Sequence, residues 1–150
     1  MKSRMLVFGW GNPSRGDDGL GPAFVGEATR KPGVELLVDY QLQPEHALDL
    51  VGREEVLFVD ASTSTPEPFE VFDVTPGPKV TFTTHHLSPG ALLAVFERIT
   101  GKAAPHARVL AIRGWAFGLG EVLSERGRIN LEAALAWWDA EHRDFAAQLR

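Results

Sequence analysis

Short, continuously apolar runs recur along this sequence, and segments with helical periodicity separate them. Such runs are typical of strands covered on both faces, and the predicted strands span residues 5–10, 34–40, 56–60 and 108–113. The predicted helices span residues 19–30, 44–51, 89–100 and 124–149. Residues 69–74 alternate between apolar and polar side chains, which predicts an edge strand. This order predicts an α/β fold: a three-layer sandwich with helices on both faces of a mostly parallel, twisted sheet of about five strands, one edge strand being antiparallel.

Composition narrows the class of protein. The 150 residues are predicted to form one domain, 1–150, and 44% of them are hydrophobic. A net charge of -5, with no basic stripe, argues against nucleic acid as a partner. The absence of cysteine excludes disulfides, thiolate metal sites and cysteine nucleophiles. Since no apolar run reaches the length of a membrane span or a signal peptide, we expect a cytoplasmic protein without a membrane partner.

A glycine-rich turn follows the first predicted strand and reads GWGNPSRGDDGLG. Its position is that of a phosphate-binding turn, but the glycine spacing departs from G-x-G-x-x-G. The carboxylates of Asp17 and Asp18 also oppose an anion. Repulsion between a carboxylate and a phosphate about 4 Å apart costs roughly 4 kcal/mol at an effective dielectric of 20. A helix N-terminus stabilises an anion by only roughly 1 kcal/mol. Asp39 lies at the end of the second strand, a position that fits a nucleotide-binding protein, so a nucleotide- or phosphate-binding module stays an alternative.

Acidic residues and a histidine follow several of the predicted strands. Asp18 follows the first strand, Asp60 ends the third, and His85 precedes the helix at 89–100. One aspartate suffices to cap a helix, so the Asp17–Asp18 pair exceeds what capping requires. Because the carboxyl ends of parallel strands meet at one sheet edge, these groups are predicted to converge there. Two carboxylates and an imidazole suit a divalent metal ion.

Several segments resemble the hydrogenase maturation endopeptidases, and the resemblance extends from about residue 4 to residue 135. The segments that carry it are GWGNPSRGDDGLG (9–21), VLFVDA (56–61), THHLSPGALL (84–93) and FGLGEVLS (117–124). YQLQPEHA (40–47) is similar to one branch of that family. The resemblance implies an endopeptidase whose partner is the large-subunit precursor of a nickel-iron hydrogenase. It would remove the precursor's C-terminal extension after nickel insertion.

The resemblance also implies a ligand set. The family's metal-contacting acid, aspartate and histidine fall on Asp18, Asp60 and His85, although a shift of one residue would substitute His86. These residues form the predicted catalytic set together with Asp17, which is the candidate for moving protons. The metal implied is nickel, supplied by the substrate rather than permanently bound. A non-enzymatic nickel-binding accessory protein, which would share these ligands without cleaving, is a further alternative.

Three other positions bear on the shape of this site. Asn12, in the glycine-rich turn, is expected to organise backbone rather than to bind metal. Trp10 replaces the small or aliphatic residue usual between the first two glycines of the resembling family, and Gly118 stands where an acidic residue is frequent. The two departures leave the implied ligands unchanged and affect only the expected shape of the pocket.

Overall fold

A computed structural model describes residues 2–77 and 87–148. The strands in these residues are β1 (Met5–Trp10), β2 (Val34–Asp39), β3 (Glu55–Ser62), β4 (Phe69–Val74) and β5 (His106–Arg113). The α-helices are α1 (Leu20–Glu27), α2 (Pro89–Thr100) and α3 (Glu125–Gln148). Two short 3₁₀ helices, Gly16–Gly19 and Pro44–Leu50, complete the regular structure of the described residues.

The strands form one sheet in the order β2-β1-β3-β5-β4. β1 pairs in parallel with β2 and β3, and β3 pairs in parallel with β5. β4 runs antiparallel to β5 and occupies an edge. This arrangement confirms the predicted mixed sheet with a single antiparallel edge strand within the described residues. It also brings the carboxyl ends of β1, β2, β3 and β5 to the same edge of the sheet.

Helical elements cover both faces of the sheet. β3 shows why its sequence is apolar throughout, since Val56 and Phe58 pack on one side while Leu57 and Val59 pack on the other. The first side is covered by α2 and the second 3₁₀ helix, and the second side by α1 and α3. These are the three layers that the sequence predicts. Asp60 continues the register of Val56 and Phe58, which places its side chain on the α2 side.

The helix boundaries agree with the sequence in part. Ser88 caps α2 by accepting a hydrogen bond from the Ala91 N–H at 3.1 Å, and Gly101 ends the helix with a φ of 69°. The helix predicted at 19–30 is shorter, because the chain turns to an extended conformation at Ala28. The segment predicted as a helix at 44–51 is a 3₁₀ helix in which Gln43 and the ring of His46 cap the first turn.

Candidate functional site

An open cavity of about 490 Å³ lies beyond the carboxyl ends of β1 and β3. Asp18 and Asp60 both line it, and Leu87 and Ser88, which lead into α2, form another part of its wall. The parallel sheet therefore brings two of the predicted ligands into one cavity. Their charges interact, since Asp18 raises the pKa of Asp60.

Asp18 is held by the turn that the glycines make possible. The N–H of Asn12 donates a hydrogen bond of 2.7 Å to Asp18 Oδ2, while Asn12 Oδ1 accepts one of 2.9 Å from the Ser14 N–H. Gly11 has a φ of 146°, and a Cβ there would lie 1.9 Å from the carbonyl oxygen of Asp18. Only glycine permits this close approach, which folds the 3₁₀ turn back against the end of β1.

The pKa of Asp60 is raised from 3.8 to about 7. Burial at the end of β3 is the main cause, the negative charge of Asp18 adds to it, and a hydrogen bond from the Ala61 N–H opposes both. A carboxyl with this pKa binds and releases a proton near neutral pH. A cation in the cavity would stabilise its ionised form, so the pair of acids fits a divalent metal ion chemically.

Asp17 has a different environment from its neighbour. Its carboxylate is fully buried and accepts hydrogen bonds from the N–H groups of Trp115 (2.7 Å), Ala116 (3.1 Å) and Ser124 (2.8 Å), and from the Ser124 hydroxyl (2.6 Å). Burial raises its pKa, but these four hydrogen bonds outweigh burial and the net pKa is lowered. The contacts make Asp17 an anchor for the 115–124 segment. The proton-moving role predicted for it receives no support from them.

The histidine predicted as the third ligand, His85, lies outside the described residues, as does its alternative, His86. Leu87, the first residue after them, lines the cavity. Within 2–77 and 87–148, no group of three or more histidine, aspartate or glutamate side chains is placed to hold a metal ion. The histidine ligand therefore stays a prediction.

Asp39, the residue on which the nucleotide-binding alternative depends, contacts other groups of the protein. Its carboxylate accepts a hydrogen bond from the Tyr40 N–H at 2.6 Å and lies 3.0 Å from Nε2 of His46. Because Nδ1 of His46 accepts from the Gln43 N–H at 2.8 Å, Nε2 carries the hydrogen and donates to Asp39. Asp39 and His46 thus fix the turn that contains Tyr40.

Two aromatic residues of the cavity wall were not among the predicted site residues. Tyr40, which is 71% exposed, and Phe117 both line the cavity beside Trp10. Both lie in the segments that carry the sequence resemblance, which was the available signal, but nothing in their local pattern indicates that they face the acids. Among the described helices, none is long and apolar enough to cross a membrane.

Comparisons with known proteins bear on the fold. No protein-family model matches the sequence, and no curated protein matches it significantly. A NiFe hydrogenase maturation protease, HycI from Thermococcus kodakarensis, is 24% identical with a TM-score of 0.69, over 90% of this chain and 89% of that chain. The hydrogenase maturating endopeptidase HybD from E. coli is 19% identical with a TM-score of 0.75, over 94% and 93% of the two chains. HybD from Thermococcus kodakarensis is 20% identical with a TM-score of 0.65, over 91% and 97%. This chain therefore shares the fold of solved hydrogenase maturation proteases over nearly all of its length.

Proposed function

We propose that this protein is an endopeptidase that removes the C-terminal extension from the large-subunit precursor of a nickel-iron hydrogenase, in the cytoplasm, after nickel has been inserted. The observation that carries the proposal is the convergence of Asp18 and Asp60 in one cavity, on the fold of the maturation proteases. The acids come from different strand ends, and the fold brings them together at the edge where α/β proteins bind their ligands.

The charge of the cavity supports recognition of nickel that is already bound to the substrate. Two acidic groups share the cavity, and burial together with the charge of Asp18 raises the pKa of Asp60 to about 7, which favours a proton or a cation beside it. A nickel ion presented by the precursor would supply the missing positive charge and bind Asp18, Asp60 and, as the sequence predicts, His85. A precursor without nickel would bring no cation for the two acids to bind, so its binding would be weaker.

The chain's own residues have separable tasks in this reaction. Nickel, as part of the substrate, would polarise a nearby carbonyl or water. Asp18 is oriented by the Asn12 N–H. Without a cation beside it Asp60 has a pKa of about 7, and a nickel ion would lower that pKa, so that Asp60 would bind the ion as a carboxylate. A mostly apolar cavity of about 640 Å³ adjoins Asp60 and leaves room for the polypeptide on that side.

The same geometry disfavours the phosphate-binding alternative. In a phosphate-binding turn, free backbone N–H groups point at the ligand. Here the Asn12 N–H already donates to the Asp18 carboxylate at 2.7 Å, so this carboxylate occupies a donor that a phosphate would need. A phosphate in this cavity would also face two acidic groups without a compensating cation.

The experiment incubates the purified protein with nickel-loaded and nickel-free large-subunit precursor and follows precursor mass by mass spectrometry. Shortening of the loaded form alone is the expected result. Asp18→Asn and Asp60→Asn should each slow processing and weaken binding of Ni²⁺ or Cd²⁺ added alone. Asp73→Asn removes an exposed acid near the opposite sheet edge, beside His106, and serves as the matched control. Binding of nickel without shortening of either precursor would instead indicate the non-enzymatic accessory protein.

Two histidine variants test the third ligand. His85→Ala should abolish processing of the loaded precursor, while His86→Ala should retain it. The reverse pattern would assign the ligand to His86 and leave the remainder of the proposal intact. Full activity in both variants would remove histidine from the nickel site.

A further inference from the structure

The anchor formed by Asp17 is directed at one segment of the chain. Residues 114–124, called the strap below, join β5 to α3 without regular secondary structure. The Asp17 carboxylate accepts hydrogen bonds from Trp115 and Ala116 at one end of the strap and from the N–H and hydroxyl of Ser124 at the other. A buried carboxylate with four donors holds both ends of one loop.

Backbone hydrogen bonds fasten the middle of the strap to the same turn. The Asp17 N–H donates to the Ala116 carbonyl at 2.6 Å, the Gly16 N–H to Glu121 at 3.0 Å, and the Gly120 N–H to Ser14 at 2.6 Å. The strap therefore lies along the turn that carries Asp17 and Asp18.

Two glycines make room for the anchor. A Cβ at Gly114 would lie 2.8 Å from the Asp17 side chain, and a Cβ at Gly127 would lie 2.5 Å from Asp17 Oδ1. The hydroxyl of Ser124 donates to Asp17 while accepting from the Gly127 N–H at 2.9 Å, so the anchor also includes the start of α3. The surroundings of Asp17 are thus shaped around its carboxylate, and a larger or displaced group has no space there.

The strap contributes Phe117 to the wall of the cavity that contains Asp18 and Asp60. Asp18 does not depend on the strap for its orientation, because its carboxylate accepts from the Asn12 N–H. Loosening the strap would therefore move the Phe117 wall more than it would move the acids.

We propose that Asp17 is a positioning residue that seats the strap so that Phe117 forms one wall of the site for the substrate polypeptide. This inference rests on the proposed function. It assigns Asp17 to substrate binding, whereas the sequence made Asp17 the candidate for proton transfer. The two assignments differ in kinetics: a positioning wall affects KM, and a proton carrier affects kcat by about 10²–10⁴-fold.

The test measures kcat and KM for the nickel-loaded precursor in variants of the full chain. Asp17→Asn keeps the size of the side chain but turns an NH₂ group toward N–H donors, so the strap loosens. We expect KM to rise about tenfold and kcat to stay within about threefold. Phe117→Ala should raise KM similarly, and the double variant should exceed the larger single effect by less than about twofold, because both changes act on one wall.

A control separates loss of stability from loss of position. Met5 is 1% exposed at the start of β1, at the sheet edge opposite the cavity, so Met5→Ala destabilises the fold without touching the strap. Its KM and kcat, per folded molecule, should match the wild type. Hydrogen exchange of the strap amides, measured without substrate, should be faster in Asp17→Asn and unchanged in Met5→Ala.

Each alternative outcome has a distinct meaning. A kcat loss of about 100-fold or more at unchanged KM would overturn the inference in favour of proton transfer. Unchanged kcat and KM together with faster unfolding would overturn it in favour of a purely structural anchor. If Asp17→Asn fails to fold, Ser124→Ala, which removes one of the four hydrogen bonds, carries the same test with an expected KM rise of about threefold. If the wild type cleaves neither precursor, the proposed function fails, and the exchange data still decide whether Asp17 seats the strap.

Discussion

Replacing Asp60 by Asn should make the protein more stable at neutral and alkaline pH. The folded protein holds a proton on Asp60 up to a pKa of about 7, whereas the unfolded chain releases it at about 3.8. Between these pH values the folded state binds more protons than the unfolded state, so the free energy of unfolding falls as pH rises. The contribution of Asp60 is complete below about pH 4 and is lost once the pH passes about 7. An asparagine keeps the size of the side chain and does not titrate.

The magnitude follows from the size of the pKa shift. A change from 3.8 to about 7 is roughly three pH units, and each unit corresponds to about 1.4 kcal/mol. Because the side chain is only half-buried and water screens part of its charge, we expect Asn to gain about 2–4 kcal/mol relative to Asp between pH 4 and pH 8. The Ala61 N–H, which donates to the carboxylate, can donate equally to the amide oxygen of Asn.

The measurement is urea unfolding of the wild type and of Asp60→Asn at a series of pH values from about 4 to about 8. The difference between the two proteins isolates Asp60, since all other groups titrate in both. Asp18→Asn is the matched control: it removes the neighbouring charge but not the burial, so the fall in stability should still begin near pH 4 but should be smaller and end at a lower pH. Two curves that stay parallel within about 0.5 kcal/mol would refute the raised pKa.

Three further predictions concern other parts of the fold. Gly11→Ala should lower the free energy of unfolding by about 2–4 kcal/mol, because its Cβ would lie 1.9 Å from the Asp18 carbonyl oxygen. Gly26 is exposed on α1, and an added Cβ there would meet nothing within 4 Å beyond the adjacent helix backbone, so Gly26→Ala should stabilise by about 0.5–1 kcal/mol in thermal or urea unfolding. Ser88→Ala should cost about 1 kcal/mol through loss of the α2 cap, seen as a melting temperature lower by about 2–4 °C. Hydrogen bonds from Asn130, Trp115 and Arg126 lower the pKa of Glu67 to about 2, so the free energy of unfolding should fall as pH drops from about 4.5 toward 2. Glu67→Gln should make this fall less steep in acid unfolding curves. Equal slopes in the wild type and the variant would contradict the prediction.

The strands and the helix α2 could be predicted because their signals are local. A run such as 56–60 is apolar on both faces, and Ser88, Pro89 and Gly101 mark the limits of α2 by capping chemistry. The end of α1 and the 3₁₀ form of residues 44–50 could not be predicted. Helical periodicity does not distinguish the two helix types over one or two turns, and nothing at Ala28 prevents a longer helix.

The sequence could suggest which strand ends meet, but it could not separate the tasks of two adjacent aspartates. Asp18 lines the cavity, while Asp17 binds Trp115 and Ser124, which lie 98 and 107 residues away along the chain. Contacts between residues so far apart in the sequence leave no signal in the local sequence pattern. For the same reason Phe117 could not be predicted as a cavity wall, since its place depends on how the strap is fastened to the turn.

The two aspartates also explain how a turn can be both rigid and receptive to a cation. Four hydrogen-bond donors of the protein compensate the charge of Asp17, so Asp17 stabilises the turn and needs no cation to balance it. Asp18 receives a hydrogen bond from Asn12 and faces a cavity that it shares with Asp60, whose pKa is raised by burial and, to a smaller extent, by the charge of Asp18. On the proposed function, the nickel bound to the substrate supplies the positive charge that balances these two acids. Selectivity for the loaded precursor then needs no separate sensor, because Asp18, oriented by the Asn12 N–H, and Asp60 would bind the precursor through its nickel.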